Sequence, residues 1–308
     1  MAQPPPPPQA PPLPNLSHLA HGHAAIIVER DPDGRVVDGI YCLDALRDQK
    51  VADEPDQGPL EPSLFTCDSA LVLLRHAIPA DAVGGGAEYA SMHQRCFAYM
   101  RNDDLVPPTR NPYNAGSVLL RKQITFRARD AVDYHFSGQQ VQNTPLDEAP
   151  ELVQRVLDYT KRLVVANRKH YGKWADVDPD TYNAVHCNLY ATPAAGVAAH
   201  KDDEAQLIAG APIFSYTFLA SKDDSGLVMP REFEIATPYM RQVGGKNPRL
   251  VRDFKRVAGV TLGDGDLLVM QGSVQSEWFH RIVPGNNKLH ANTERVNMTV
   301  RAFHRADA

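Results

Sequence analysis

Hydrophobic and polar positions alternate with a period of two in several stretches of this chain. Over 182–190 (YNAVHCNLY), Tyr182, Ala184, His186, Asn188 and Tyr190 fall on one face of an extended segment and Asn183, Val185, Cys187 and Leu189 on the other. Residues 295–301 (RVNMTVR) repeat the pattern, with Arg295, Asn297, Thr299 and Arg301 against Val296, Met298 and Val300. Further strands are predicted at 69–79, at 118–127, from 211 through IFSYTFLA, at 231–237, at LLVM after the Gly263-Asp264-Gly265-Asp266 turn, and at 274–283. One helix is predicted over 81–100, where each of Gly84, Gly85 and Gly86 weakens it by about 1 kcal/mol. A second is predicted over 147–171, acidic in its first turn and basic in its last, with Leu152, Val156 and Leu163 facing a sheet. Many short strands and few helices imply an α+β, mainly β fold: an antiparallel double-stranded β-helix (jelly-roll) core with supporting helices on one side.

Composition divides the chain. Its 308 residues suit one domain with an appendage or two small domains. Residues 1–14 (MAQPPPPPQAPPLP) cannot build a helix interior or a ladder, so 1–23 reads as a disordered tail, either solvated or read by a PxxP-binding partner. His18, His21 and His23 lie there without a rigid frame and are not taken as a metal site. Two apolar runs around Asp31-Pro32-Asp33-Gly34 predict an accessory hairpin at 24–43, and 44–62 reads as a charged linker. The expected organisation is therefore a tail (1–23), a hairpin with an acidic linker (24–66) and a single domain (67–308). No apolar run approaches the roughly 18 residues of a membrane span, and the N-terminus has no signal-peptide pattern. The scattered Cys42, Cys67, Cys96 and Cys187 suit neither a zinc ribbon nor a disulfide framework. A soluble, intracellular monomer is expected, with nucleus and cytoplasm not distinguished. Net charge is −5, but residues 1–66 hold ten acidic groups against four basic ones, which leaves the remainder near neutral. That balance neither requires nor forbids a polyanionic partner.

The chemistry starts at His200-x-Asp202, whose side chains project to the same side of an extended segment. Alone, this is a hydrogen-bonded surface pair. The C-terminal stretch changes the weighting, because it brings a distant His280 and two arginines on the inward face of a strand. Buried guanidinium groups need anions, and a dicarboxylate such as 2-oxoglutarate supplies two. Two histidines and one carboxylate with open positions suit a non-haem Fe(II) oxygenase.

Together these residues carry a resemblance. N-x-Y (Asn188, Tyr190), H-x-D-D-E (His200, Asp202, Asp203, Glu204), His280, R-x-N-x-T-x-R (295–301), RKQITF (121–126) and YHFSG (134–138) resemble the AlkB family of Fe(II)/2-oxoglutarate dioxygenases. Within it they resemble the branch that repairs alkylated bases in duplex DNA, over roughly 68–303. The resemblance implies that His200, Asp202 and His280 hold Fe(II). It implies that Arg295, with Asn188 and Tyr190, grips the far carboxylate of 2-oxoglutarate, while Arg301 and Asn297 steady the near end. Arg121, Tyr134, Phe136, Asp203 and Glu204 are then the substrate side, with Phe136 and the His200 ring sandwiching a flipped-out base. Asp203 and Glu204 would read the base's polar edge or attract its positive charge. On the residues alone, Phe136 reads as core, and Asp203 and Glu204 as a solvated acidic run.

The implied reaction is oxidative demethylation of bases such as 1-methyladenine and 3-methylcytosine, in DNA rather than RNA, using Fe(II), 2-oxoglutarate and O2 and releasing formaldehyde and succinate. The alternatives are a dioxygenase acting on RNA, protein or a small molecule, and a non-catalytic binding module on the same fold. The basic stretch at 241–256, with Arg241, Lys246, Arg249, Arg252, Lys255 and Arg256 against Asp253, predicts phosphate contact, with a solvated loop as the alternative. The 101–116 loop, with Pro107, Pro108 and Pro112, is either a substrate contact or an ordinary connection. His186 stands where the relatives usually carry an apolar side chain; it lines the pocket or is a hydrogen-bonded core histidine.

Overall fold

The two alternating stretches become neighbouring central strands. In the computed structural model, Tyr182–Tyr190 and Thr293–Ala302 pair antiparallel and are buried along their whole lengths. Residues directly opposite one another share a face of the sheet. The register sets Arg295 opposite Tyr190, Asn297 opposite Asn188 and Thr299 opposite His186, so the polar sets coincide. Between them, Val296 meets Leu189, Met298 meets Cys187 and Val300 meets Val185, and these six belong to the largest apolar cluster.

The structure describes residues 29–30, 36–42, 69–75, 77, 86–111, 114, 116–136, 139–167, 177–223, 226–243, 249–286, 288 and 290–306. The proline-rich tail, its histidines and the acidic linker lie outside these residues. In chain order the strands are β1 (Glu29–Arg30), β2 (Val36–Cys42), β3 (Ser69–Leu74), β4 (Arg121–Arg127), β5 (His135–Phe136), β6 (Gln139–Gln140), β7 (Asn143–Pro145) and β8 (Tyr182–Tyr190). They continue as β9 (Val197–His200), β10 (Ile213–Ser221), β11 (Arg231–Val243), β12 (Arg249–Leu262), β13 (Asp266–Gly272), β14 (Phe279–Ile282) and β15 (Thr293–Ala302). A nine-stranded sheet runs β1-β2-β3-β13-β10-β15-β8-β4-β7, antiparallel except for the last pair. A four-stranded sheet runs β12-β11-β14-β9, and β5 and β6 form a small ribbon.

The layers follow from which faces are apolar. Helices α1 (Gly86–Arg101) and α2 (Glu151–Asn167) cover one face of the large sheet. Met92, Cys96, Phe97 and Met100 of α1 and Leu152, Val156 and Leu163 of α2 recur at helical spacing and enter the large apolar cluster. The other face packs on the small sheet through a second cluster, in which Leu71, Leu268 and Met270 meet Phe233, Ile235 and Ile282. This is the mainly β, jelly-roll architecture expected, with the helices on one side. Hairpin β1–β2 extends the large sheet through the β2–β3 pairing. No described helix is long and apolar enough to cross a membrane.

Three elements differ from expectation, the first being the strand predicted over 274–283, which opens with a helical turn at Val274–Glu277 and is extended only over Phe279–Ile282. The helix predicted over 147–171 divides: a 3₁₀ turn occupies Leu146–Glu148 and α2 begins only after Pro150, a residue that has no N–H to donate within a helix. The short strand predicted at 231–237 and the basic stretch after it are instead one long ribbon, paired from Arg231 opposite Leu262 to Val243 opposite Arg249.

Candidate functional site

β9 and β14 are neighbours, and their register puts His200 opposite His280. The small-residue loop before β9 makes that register possible. A Cβ added to Gly196 would lie 2.7 Å from the Ile282 carbonyl oxygen, so a glycine is needed for the loop to lie this close to β14. Arg231 fastens the loop from the other side, its buried Nη2 donating to the carbonyls of Ala195 (2.6 Å) and Val283 (3.0 Å). Sequence reasoning missed Arg231, because its partners are loop carbonyls that leave no trace in residue type.

Asp202 follows where the chain leaves β9, and its backbone N–H donates to Gln275 Oε1 at 3.1 Å. Nitrogen or oxygen ligand atoms of His200, Asp202 and His280 all lie within 4.8 Å of one another. Asp202 Oδ1 is 3.5 Å from His200 Nε2, and Oδ2 is 3.9 Å from His280 Nε2. His200 Nδ1 is 2.9 Å from the Ala198 carbonyl, which can only accept; in the neutral ring the proton therefore sits on Nδ1 and Nε2 presents a lone pair. Burial, helped by His200 and opposed by Asp202, lowers the His280 imidazole to about 3, so His280 is neutral near pH 7. Burial alone would raise the Asp202 carboxyl, but the Arg301 guanidinium and the two imidazoles outweigh it and hold it well below the usual carboxylate range. Asp202 Oδ1 is buried and accepts no hydrogen bond among the described residues. This is a donor set for a divalent metal that leaves positions open.

Two guanidinium groups are buried on one strand, β15: Arg301 lines the cavity that this donor set shares with Asn188 and Tyr190, and Arg295 lies outside that lining, against the Tyr190 ring. Arg301 Nη2 donates to Asp202 Oδ2 at 2.8 Å, and its other nitrogens have no acceptor among the described residues. Arg295 is fully buried behind the Tyr190 ring, 5.0 Å from its centroid, and Nη2 donates to Thr217 Oγ1 at 3.0 Å. Its Nε and Nη1 have no acceptor among the described residues, and burial lowers it to about 10, which still leaves it a cation. A buried cation whose donors face no anion is the arrangement expected of a carboxylate-binding site. Asn188 lines the same cavity and accepts from Arg121 Nε at 3.2 Å. Asn297 also lines it, although its amide hydrogens already go to Ser215 Oγ and the Tyr216 carbonyl, both at 2.8 Å.

The residues expected on the substrate side do not gather in one place. Arg121 turns inward, because β4 pairs with β8 and sets it opposite Tyr190; it lines the metal-side cavity instead of an outer face. Tyr134 is wholly buried, stacked on Phe303 with ring centroids 5.2 Å apart and lying under Arg301, with its hydroxyl 3.4 Å from Glu204 Oε1. It supports the wall and offers no free face. Asp203 and Glu204 line a second cavity of about 410 Å³ that also reaches Asp202. Burial raises the Glu204 carboxyl to about 7, Arg301 opposing and Asp202 adding. Phe136 belongs to β5, opposite Gln139, and its side chain lies outside the described residues. Both readings of His186 hold: it lines the metal-side cavity, and its Nδ1 is 2.9 Å from Thr125 Oγ1. In the basic ribbon, Arg241 pairs with Asp253, and Arg256 with Glu232 and Glu234, which leaves Arg252 and Lys255 without a carboxylate among the described residues.

Comparison with known proteins agrees with this geometry. Residues 91–301 match the family model described as the 2OG-Fe(II) oxygenase superfamily. Mouse "DNA oxidative demethylase ALKBH2" is 30% identical over 181 residues, 59% of this chain and 61% of that protein. Its human counterpart is 33% identical over 127 residues, 41% of each chain. Human "Alpha-ketoglutarate-dependent dioxygenase alkB homolog 3" is 30% identical over 124 residues, 40% of this chain and 37% of that one. The similarity thus spans between about a third and three-fifths of these relatives' lengths.

Proposed function

This chain belongs to the 2OG-Fe(II) oxygenase superfamily, whose cofactors are Fe(II) and 2-oxoglutarate, and we propose that it uses them to remove N-methyl groups from bases of nucleic acid, in DNA before RNA. The observation that carries the reading is the convergence of His200, Asp202 and His280 on a cavity that Arg301 also lines, with the buried Arg295 guanidinium held against the Tyr190 ring of its wall. Similarity to proteins named as DNA oxidative demethylases supports the choice of substrate class.

In this reading the imidazoles of His200 and His280 and the Asp202 carboxylate hold the metal. Arg295, with Asn188 and Tyr190 in front of it, takes the far carboxylate of 2-oxoglutarate, and Arg301 stands at the near end. Asn297 holds the wall in place through its bonds to β10. Iron and 2-oxoglutarate, when bound, would activate O2, the oxidant: one of its oxygen atoms ends in succinate as carbon dioxide leaves, and the other in the formaldehyde that carries away the methyl carbon. A base within a duplex cannot reach the site, so the nucleotide is flipped out, with Phe136 and the His200 ring as its stacking partners. Glu204, held by the Tyr134 hydroxyl, and Asp203 face the polar edge of the base.

The test is incubation with Fe(II), 2-oxoglutarate and ascorbate of single- and double-stranded DNA and RNA oligonucleotides carrying 1-methyladenine or 3-methylcytosine, read by mass spectrometry. Formaldehyde and the unmodified base are expected, from DNA first. Intact methylated bases in every arm, with metal-loaded protein, would sink the proposal; turnover of RNA alone would keep the chemistry and change the polymer.

A further inference from the structure

The outer face of the four-stranded sheet carries side chains for which the site has no use. Its register sets Phe279 opposite Ala236 and Ala236 opposite Arg256, then Pro238 opposite Phe254, Met240 opposite Arg252 and Gln242 opposite Leu250. These residues share one face, and it is the face turned away from His280, which precedes and follows outward-facing neighbours on β14. On it the Phe254 and Phe279 rings lie 4.9 Å apart at 51°. The Arg252 guanidinium sits 5.4 Å from the first ring and 4.8 Å from the second, and the Lys201 ammonium 5.0 Å from the second. Lys201 also donates to the Ser276 carbonyl. Met240 and Leu250, 59% and 65% exposed, continue the stripe outward along the ribbon.

Position and charge give this face a use. Lys201 lies between His200 and Asp202 in the chain, and Phe279 directly precedes His280, so the stripe begins at the back of the metal residues. The acids on the ribbon, Glu232, Glu234 and Asp253, are matched by Arg256, Arg281 and Arg241. Arg252, exposed and resting on two rings, has no carboxylate partner among the described residues. Cations beside aromatic faces suit a partner that is an anion along its backbone and a flat ring at each unit.

We propose that this face is a docking platform for single-stranded nucleic acid: bases flanking the reacting nucleotide stack on Phe254 and Phe279, and their phosphates pair with Arg252 and Lys201. The choice of polymer rests on the proposed function; the platform itself is tested without turnover. The probe is a fluorescein-labelled, unmethylated oligothymidylate of about twelve nucleotides, within the usual span of such sites, titrated with the full chain and read by anisotropy at two salt concentrations. Phe254→Ala is expected to weaken binding about tenfold, which is what one lost stack amounts to, and Phe254→Tyr to restore it. Arg252→Gln, at an exposed position where folding is not at stake, is expected to weaken binding and flatten the salt slope by about 0.7. Parent-like affinity and salt slope in both Phe254→Ala and Arg252→Gln overturn the platform, even if the protein demethylates DNA. Binding that depends on Arg252 and Phe254, in a protein that demethylates nothing, upholds the platform and removes the reaction.

Discussion

Arg295 and Arg301 are equally buried and stand in opposite surroundings. Arg301 has Asp202 as counter-charge, whereas Arg295 has a threonine hydroxyl and the face of a tyrosine. Truncating them should therefore have opposite effects on the fold. Arg301→Ala strands the buried Asp202 carboxylate and is expected to cost about 3–5 kcal/mol of stability by urea denaturation. Arg295→Ala removes a cation that lacks an anion and is expected to leave stability unchanged or raised. It should nevertheless weaken 2-oxoglutarate binding by at least about thirtyfold in titration calorimetry with Mn(II) in place of iron. A parallel effect of the two substitutions on stability would contradict this account of their surroundings.

The histidines add a pH dependence whose sign is fixed. His280 is lowered to about 3 by burial, and His186 is lowered well below its ordinary value by burial with Arg301 and Arg121 adding. The unfolded chain takes up protons below about 6.5 that the folded chain refuses, so stability falls as pH drops through that value. His280 should contribute a loss of about 2 kcal/mol at pH 5 relative to pH 7, with His186 adding in the same direction, while Glu204, raised to about 7, takes up its proton more readily in the folded chain and offsets about 2 kcal/mol. Asp202, lowered, adds in the histidines' direction further down, as the unfolded carboxyls titrate near 4. Denaturation curves of a Glu204→Gln variant, which removes the opposing group, at the two pH values check this, and equal midpoints there would refute it. Spacing along the sequence carried the residue types at these positions. It could not carry Arg231, Tyr134 or the inward turn of Arg121, which depend on which strand lies next to which.

Strands buried on one or both faces were legible where apolar and polar positions alternate, as in β8, β10 and β15. The β11–β12 ribbon was not, because beyond Ala236 most of its side chains meet water and no periodic apolar signal remains. A run of arginines then looks like a loop, although backbone pairing continues to Val243. The loop before β9 gives an element-scale prediction. Gly196→Val forces atoms against the Ile282 carbonyl, costing about 1–3 kcal/mol and separating β9 from β14. Metal affinity should fall together with stability, as measured by competition with a chelating dye. In α2, Leu163→Ala should cost about 2–5 kcal/mol and leave metal affinity alone, a contrast that separates the two layers.

At the scale of the whole molecule, helices, large sheet and small sheet form three layers, and the site lies between the two sheets. Its members come from β8, β9, β14 and β15, whose partners in sequence lie up to about a hundred residues apart, as Arg301 and Asp202 do. Motif spacing indicated that they would meet; the two-sheet register sets the distances. Ligands that join both layers should lock them. Mn(II) and 2-oxoglutarate at about a hundred times their dissociation constants should each add about 2.7 kcal/mol and raise the melting temperature, and a chelator should reverse the metal's share.

The bond from Arg301 to Asp202 has one more consequence. A single guanidinium faces the carboxylate that serves the metal and, with its remaining nitrogens, the chamber that would receive the diacid. Whatever charge arrives on one side alters how firmly the fork is held on the other. Occupancy at the two positions is then thermodynamically linked, and by reciprocity the factor by which cation changes the affinity for diacid must equal the factor by which diacid changes the affinity for cation.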